Sequence, residues 1–575
     1  MKSSGPVGFV LIFAVLMTAC GGPAGGGAST GVGVQETQPS RTLVVVTRAE
    51  PPSLNPRPFR SLGLTADLSG RMFNAGLTVR NDDGLPVPYL AQALPQLNTD
   101  TWRVLPDGTM ETTYRLRPSI TWHDRQPLTA EDFIFGLEVL STPAFGLNAQ
   151  PPISLIERVT APDPSTVLIH WKQTFANADA LRAGSGNSTN EALPPYPRHL
   201  LRQPFDTQDP EAFMANPFWV SQYVGAGPYK LDKWEPGAFL EGVAFDGHVL
   251  GKPKIQRIRE IFTPDPNTAV ANLLAEQAQL TSGDAIRFTD GETLLQQWAD
   301  RGKVLNFPNL YRIVQFQRKP EFASTQAFLD LRVRQALHHG VDFDSLNETI
   351  QAGRTSAAKG PVPPTAAYYR ELEQTVAHYP YDPRRTEQLM TEAGFSRGSD
   401  GVWTSPRFGR MAFDTNVLAS PDSDNEMHIM ADTWRRLGFD VREVSWSPSQ
   451  GADTEVRNTF PGLSTTSTPP GENALVEYRS DRVPVPQTRW RGTNRGAWPG
   501  AAEYDRLVDI WETSLNRNER TQAAIQMNRI LNADVVVINL YWKLNAQAFA
   551  NGLTGPRLTD PDGSAEWNIH EWEFR

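Results

Sequence analysis

One cysteine, Cys20, serves a chain of 575 residues, so no internal disulfide can brace the fold and buried apolar surface has to hold it together. That cysteine stands just behind Lys2, an apolar run from Val7 to Met17 and the small residues Thr18 and Ala19, the order of charge, grease and small side chains in a secretory signal. At about 1.5 Å per helical residue the run reaches roughly half of a ~30 Å hydrocarbon core, too short for a permanent transmembrane anchor. From Gly21 to Ser40 the chain is mostly Gly, Ala, Ser, Thr, Gln and Pro, too poor in apolar side chains to offset the entropy of ordering, and reads as a flexible tether. About 535 residues follow, with abundant Trp, Phe and Leu for a large core and length for roughly two to four domains. The formal charge of -10 comes without a basic cluster, which argues against nucleic acid or anionic lipid as a partner.

Helix and strand signals alternate through this part. Arg41-Thr-Leu-Val-Val-Val-Thr47 is a β-branched run that predicts a buried opening strand, and Glu50-Pro-Pro-Ser-Leu-Asn-Pro56 then forces an extended, turning path. Between Thr113 and Leu140 the pattern alternates, turns through Trp122 to Pro127, and becomes helical behind the capping pair Thr129 and Asp132, with Phe133, Leu137 and Leu140 on one face. Asp382-Pro383 is an N-cap with proline in the first turn of a helix closing at Gly394, and the stripe Val333, Ala336, Leu337 ends at Gly340. Tyr504, Leu507, Val508, Trp511 and Leu515 follow the helical period; a second helix with Ala524, Met527, Ile530 and Leu531 runs into a strand at Val535 to Trp542. No short repeat points to a solenoid or propeller.

Catalytic constellations are missing from the globular part of the sequence: residues 41–575 hold no G-x-S-x-G, no H-E-x-x-H and no P-loop. His338-His339-Gly-Val-Asp342 is the one metal-like cluster, but neighbouring helical side chains diverge by about 100°, so both histidines cannot grip one ion. Only His338 and Asp342 can share a face, and ordinary capping is the better reading. We therefore expect no enzyme, no metal and no cofactor.

Leu16-Met17-Thr18-Ala19-Cys20-Gly21 resembles the lipobox of bacterial lipoproteins, which implies that residues 1–19 are a signal peptide, that Cys20 carries a diacylglyceryl group, and that residues 20–40 tether the protein to a membrane surface. Two or three acyl chains, at about 0.8 kcal/mol per buried methylene, anchor durably. A wider resemblance follows. Glu50-Pro-Pro-Ser-Leu-Asn-Pro56, Pro88-Tyr-Leu-Ala91, Tyr114-Arg-Leu-Arg117, Trp122-His-Asp124 with Pro127-Leu-Thr-Ala-Glu-Asp132, Gly225-Ala-Gly-Pro-Tyr-Lys-Leu231, Asp330-Leu-Arg-Val-Arg-Gln-Ala-Leu337 and Tyr381-Asp-Pro383 through Glu392-Ala-Gly-Phe395 resemble, in order, motifs of the bacterial extracellular solute-binding protein family 5, the oligopeptide- and dipeptide-binding lipoproteins of ABC importers.

That resemblance implies an α/β, periplasmic-binding-protein-like fold: two lobes around a cleft, joined by a hinge, with an additional inserted subdomain. On the family pattern, lobe I takes residues 41–85, 215–310 and 540–575, the insertion 86–214 and lobe II 311–539. His123-Asp124 read as turn chemistry, the carboxylate capping backbone N–H groups. Gly225 and Gly227 read as residues that permit backbone angles others avoid, beside a proline that stiffens a crossing between domains. The implied function is capture of an extended small ligand, an oligopeptide in the first place, and delivery to an ABC permease by a lipid-anchored, extracytoplasmic monomer that is not an enzyme.

For the ligand itself, the family's aspartate-bearing "WxADYPDP" stretch corresponds to Gly462 through Asn473, which has no such aspartate. Glu472 is a candidate for the ammonium group, against the ordinary reading of a solvated loop carboxylate. Trp446, Trp490, Arg491 and Asn494 flank that segment and suit a ligand wall of aromatics with a few polar groups, although tryptophan also fills cores, as expected for Trp434. Tyr229 and Asn55 are cleft candidates by motif position. Non-peptide cargo (an oligosaccharide, a metal chelate or an opine-like compound) and a sensing or scaffolding lipoprotein stay open as alternatives.

Overall fold

Strand-forming stretches from both ends of the chain meet in one ten-stranded mixed sheet. The computed structural model describes residues 42–55, 67–145, 151–183, 191–558 and 564–575; the expected signal peptide, Cys20 and the tether lie outside them. The first strand is β1 (Thr42–Thr47), followed by β2 (Trp102–Val104), β3 (Met110–Arg115), β4 (Ile156–Thr160) and β5 (Thr166–Trp171), which form a separate four-stranded sheet in the order β2-β3-β5-β4. Next come β6 (Tyr229–Glu235), β7 (Phe239–Ala244), β8 (Arg257–Phe262), β9 (Leu280–Thr281) and the long β10 (Gly302–Phe316). Strands β11 (Ala412–Leu418), β12 (Asp440–Trp446), β13 (Leu463–Thr468) and the long β14 (Val537–Ala550) complete the large sheet, ordered β12-β11-β13-β10-β14-β9-β1-β8-β7-β6.

The long pair β10 and β14 is what joins the two lobes. They run antiparallel from Gly302 opposite Ala550 to Gln315 opposite Val537, with irregular register between Pro308 and Leu310 and again between Tyr311 and Ile313. On one side of these bulges β14 meets β9, Leu280 opposite Phe549; on the other side β10 carries β13, Tyr311 to Phe316 opposite Thr468 to Leu463. Bulges bend a strand and raise its twist, so each half of the sheet builds its own core. Leu43, Trp171, Trp219, Tyr229 and Trp572 share one core with the four-stranded subdomain. In the other lobe alternate residues of β10 enter opposite cores, Val314 and Phe316 on one face, Tyr311 and Ile313 on the other.

Helices form where caps and periodicity agree. Those used below are α1 (Asp67–Phe73), α2 (Ala130–Ser141), α3 (Leu331–His339), α4 (Phe343–Gln351), α5 (Pro383–Glu392), α6 (Pro421–Arg436), α7 (Ala502–Thr513) and α8 (Arg517–Ala533). Thr129 starts α2 with its N–H on Asp132 at 2.9 Å, and Asp382 starts α5 by accepting from the N–H groups of Arg384 and Arg385, both at 3.0 Å. Gly394 takes φ +85° just past the end of α5.

Three local expectations need correction. The last long strand begins at Val537, not Val535, and continues to Ala550, because pairing along β10 extends it through the polar run Asn545-Ala-Gln547 that no local signal marks as strand. Leu515 lies beyond the end of α7. Gly225 and Gly227 have no positive φ; they are needed for close approach, since a Cβ on Gly227 would stand 2.5 Å from the carbonyl oxygen of Met72 and 2.6 Å from the amide nitrogen of Asn74. The turn before α2 holds this crossing: His123 accepts from the Gly225 N–H at 3.1 Å through Nδ1, so its proton is on Nε2, 3.0 Å from the Gly227 carbonyl. Asp124 accepts from the Gln126 N–H at 3.1 Å.

Candidate functional site

The loop at 485–491 brings two of the expected ligand residues together. Arg489 and Trp490 both hold left-handed backbone, φ 50° and 58°, each at a cost of order 1–3 kcal/mol that the surroundings must impose. Here the surroundings are the Thr454 hydroxyl, donating to the Arg489 carbonyl at 3.1 Å, and the Asn458 amide, donating to the Trp490 carbonyl at 3.0 Å. The result presents a half-buried Trp490, edge-on to Phe322 with ring centres 5.8 Å apart and with the Lys319 ammonium 5.2 Å from its ring centre. Arg491 follows, half-buried, with its guanidinium pKa lowered by desolvation. Aromatic surface flanked by cations suits a ligand with a flat or apolar part and negative charge.

Elsewhere the expected residues are engaged within the protein. Tyr229 opens β6 fully buried, its hydroxyl donating to the Ile255 carbonyl at 3.1 Å. The Glu472 carboxylate accepts from the Tyr368 hydroxyl at 2.8 Å, from the Trp511 indole at 2.7 Å and from Arg517 at 3.2 Å, which fastens its loop to α7 and α8. Asn494 clamps its own turn, donating to the Trp498 carbonyl at 2.7 Å and accepting from the Trp498 N–H at 3.0 Å. Asn55 is buried beside Tyr223, with which it hydrogen-bonds. Trp446 ends β12 opposite Leu418, 8% exposed. Trp434 is in the core, donating to the Leu337 carbonyl at 3.0 Å. The metal-like cluster is a cap: Asp342 starts α4 by accepting from the Ser345 N–H and hydroxyl at 3.1 and 2.8 Å, while His338 stacks on Tyr379 with ring centres 4.4 Å apart.

Sequence reading missed Lys319 and Phe322, which lie about 170 residues from Trp490 in the chain. It also missed a buried charge network at the strand crossing. Arg312 on β10 donates to Glu426 on α6 at 3.2 Å and to the Ser467 hydroxyl on β13 at 3.1 Å, and the Tyr541 hydroxyl on β14 donates to the same Glu426 at 2.7 Å. The only local signal is a charged residue inside an apolar strand pattern.

Contacts also join residues 176–211 to later parts of the chain. The Ala176 N–H donates to the Glu512 carbonyl at 3.0 Å, Arg520 to the Asn177 carboxamide oxygen at 3.0 Å, and the Arg489 guanidinium lies 2.6 Å from Glu211.

Residues 92–474 match the model of the bacterial extracellular solute-binding proteins, family 5 middle region. The dipeptide-binding protein of Escherichia coli (strain K12) is 25% identical over 439 residues, covering 71% of this chain and 72% of that protein. The oligopeptide-binding protein from Thermus thermophilus, solved with a pentapeptide, superposes with a TM-score of 0.79 at 19% identity over 93% of this chain and 96% of that one. NikZ from Campylobacter jejuni, solved with Ni(L-His), superposes with a TM-score of 0.74 at 22% identity over 93% of this chain and all 100% of that one. At these identities the two structures establish likeness of fold.

Proposed function

Because this chain belongs to the bacterial extracellular solute-binding proteins of family 5, as a substrate-binding component of an ABC importer, we propose that its cargo is an oligopeptide, taken up by hinge closure. The observation that carries the reading is the strand pair β10 and β14, shared by both lobes and bulged where it passes between them, together with the E. coli relative named for dipeptide binding. Ligand bridging both lobes binds the closed form better, and a difference of about 5.5 kcal/mol swings a two-state population from mostly open to mostly closed. The hinge sits at the bulges from Pro308 to Ile313, and the lobes follow the segments 41–85, 215–310 and 540–575 against 311–539, with 86–214 inserted. The loop of Trp490 and Arg491, with Lys319 and Phe322, faces the cargo.

Lipidation at Cys20 and a monomeric, membrane-tethered, extracytoplasmic existence belong to the same proposal; no helix among the described residues is long and apolar enough to cross a membrane. A second reading has a specific observation behind it: β13 offers hydroxyls, Leu463-Ser-Thr-Thr-Ser-Thr468, and no carboxylate for a peptide ammonium, and a neighbour in fold was solved with a nickel chelate. Native mass spectrometry of the purified protein with small-angle scattering decides between them. Co-purified peptides and compaction on peptide addition support the first; compaction on adding saccharide, nickel-histidine or opine and not on adding peptide selects the second.

A further inference from the structure

The segment from Ser564 to Arg575 forms a strap over the core that β1 and β8 share with the four-stranded subdomain. Ile569 and Trp572 enter that core beside Leu43 and Ile258, and the strap is tied at both ends. At one end Glu566 accepts from the Ser282 hydroxyl at 2.8 Å and from the Gln547 amide on β14 at 3.2 Å. At the other, Glu573 and Phe574 pair with Thr554 and Leu553, and the Arg575 N–H donates to the Gly552 carbonyl at 2.7 Å. Between the ties stands His570, whose carbonyl accepts from the Lys254 N–H at 3.3 Å.

The His570 ring meets a second histidine. His248, in the loop between β7 and β8, lies edge-on to His570 with ring centres 5.3 Å apart and edge-on to Tyr89 at 5.6 Å. His248 is 5% exposed, Tyr89 7% and His570 9%. The Nε2 of His248 stands 3.5 Å from the Tyr89 hydroxyl, at the limit of a hydrogen bond, and its Nδ1 has no partner. One imidazole from the strap and one from the body of the fold thus close a dry contact that holds only while both rings are neutral.

The charges around the pair give a proton on either ring little support. On the strap, the Glu571 carboxylate lies 3.9 Å from His570 with its side chain 57% exposed, beyond hydrogen-bond reach and screened by water, and Glu573 is paired with Lys254 at 3.1 Å. On the loop of His248, Asp246 is paired with Arg125. From α1 the Arg71 charge acts on the Tyr89 hydroxyl. From the turn before α2, His123 faces His248 with its own Nδ1 committed to the Gly225 N–H and the Lys230 charge beside it, while Asp124 is held by His199 at 2.6 Å. A proton taken up by the pair is therefore desolvated and set against a neighbouring imidazole. Burial, then His570 and His123, hold His248 down at about 3, and burial lowers His570 as well.

We infer that His248 and His570 are a proton-operated latch on the carboxyl-terminal strap, closed while both rings are neutral and released when acid protonates them. Release also withdraws Glu566 from Ser282 and Gln547, so the latch carries the pH of an extracytoplasmic protein's surroundings to β14, one of the two strands that join the lobes. In the released strap both rings stand in water and titrate like any histidine. Between about pH 7 and about pH 4.5, proton uptake at His248 alone then favours release by roughly 70-fold. The latch is independent of what the cargo is.

Hydrogen-exchange mass spectrometry of the full chain at about pH 7 and about pH 4.5 is the test, with each segment's rate divided by that of the corresponding free peptide at the same pH. In the wild type the normalised exchange of residues 564–575 rises at least roughly thirtyfold at the acid pH while that of β11 and β12 rises less than about threefold, and His248→Leu holds the rise of the strap below about tenfold. A strap that gains no exchange in acid overturns the latch. So does a strap that opens in step with β11 and β12, because acid then unfolds the whole molecule, and so does an undiminished rise in His248→Leu. Should His248→Leu not fold, His570→Asn is read in the same way, and the wild-type comparison of the strap with β11 and β12 still decides.

Discussion

Glu260 burdens the stability of this protein at any pH where a carboxyl group prefers to ionise. Its folded-state pKa is raised to about 8 by burial, above the usual value near 4.5, so the folded chain holds this proton more tightly than the unfolded one. The linkage sign follows: stability falls as pH rises from about 4.5 through about 8 and levels off beyond. Glu260→Gln removes the titration, and melting temperatures measured from about pH 6 to about pH 9 should fall less steeply in the variant, leaving it the more stable protein at the alkaline end; parallel curves contradict the assignment. Histidines act in the opposite direction. Burial lowers His123 to about 4 and His248 to about 3 from the ordinary 6.5, so their neutral forms hold the fold above pH 6.5, and stability is lost as pH falls below it. The Nδ1 of His248 has no partner, so His248→Leu should fold and show a shallower loss of melting temperature between about pH 6 and about pH 4.

At the scale of elements, the caps and the close approaches carry the predictions. Asp382→Ala leaves two N–H groups at the start of α5 without an acceptor and should cost about 1 kcal/mol in chemical denaturation. Gly227→Ala sets a methyl group against the backbone between Met72 and Asn74, where neither a rotamer change nor a side-chain shift can relieve it; we expect a loss above roughly 3 kcal/mol, or no soluble protein. Glu426 is the shared acceptor that ties β10 and β14 to α6. Removing it by Glu426→Ala strands the buried Arg312 charge and should cost about 3–5 kcal/mol in denaturant titration. A loss below about 1 kcal/mol shows that water reaches the guanidinium.

For the whole molecule the issue is what biases the lobes toward closure. Arg489 and Glu211 form an ion pair with side chains 37% and 77% exposed, and such pairs contribute about 0–1 kcal/mol. The half-buried Arg520, reaching Asn177 beside the Ala176 to Glu512 backbone bond, is the stronger link between the segment at 176–177 and helices α7 and α8. Arg520→Ala should enlarge the ligand-free radius of gyration in small-angle scattering and weaken cargo binding roughly threefold, whereas Arg489→Ala changes neither measurably. Equal effects of the two substitutions exclude this ranking of the contacts.

What the sequence by itself determined are features set by neighbours along the chain. The caps Thr129 and Asp382, the stop after α5 at Gly394, the helical stripes of α3, α7 and α8, and the β-branched run of β1 are all legible because each depends on residues within four or five positions. The ordered motifs from Glu50 to Phe395 added the family and, through it, the two-lobed fold. Tertiary structure alone decided the rest. It extended β14 through Asn545 and Gln547, because strand pairing is imposed by β10; it turned Glu472 and Asn494 inward, because their donors come from Tyr368, Trp511 and Trp498; and it set Trp490 beside Lys319. A side chain's role as ligand contact or as internal staple depends on which distant segment supplies its partner. Periodicity reports only which face of its own element a residue occupies.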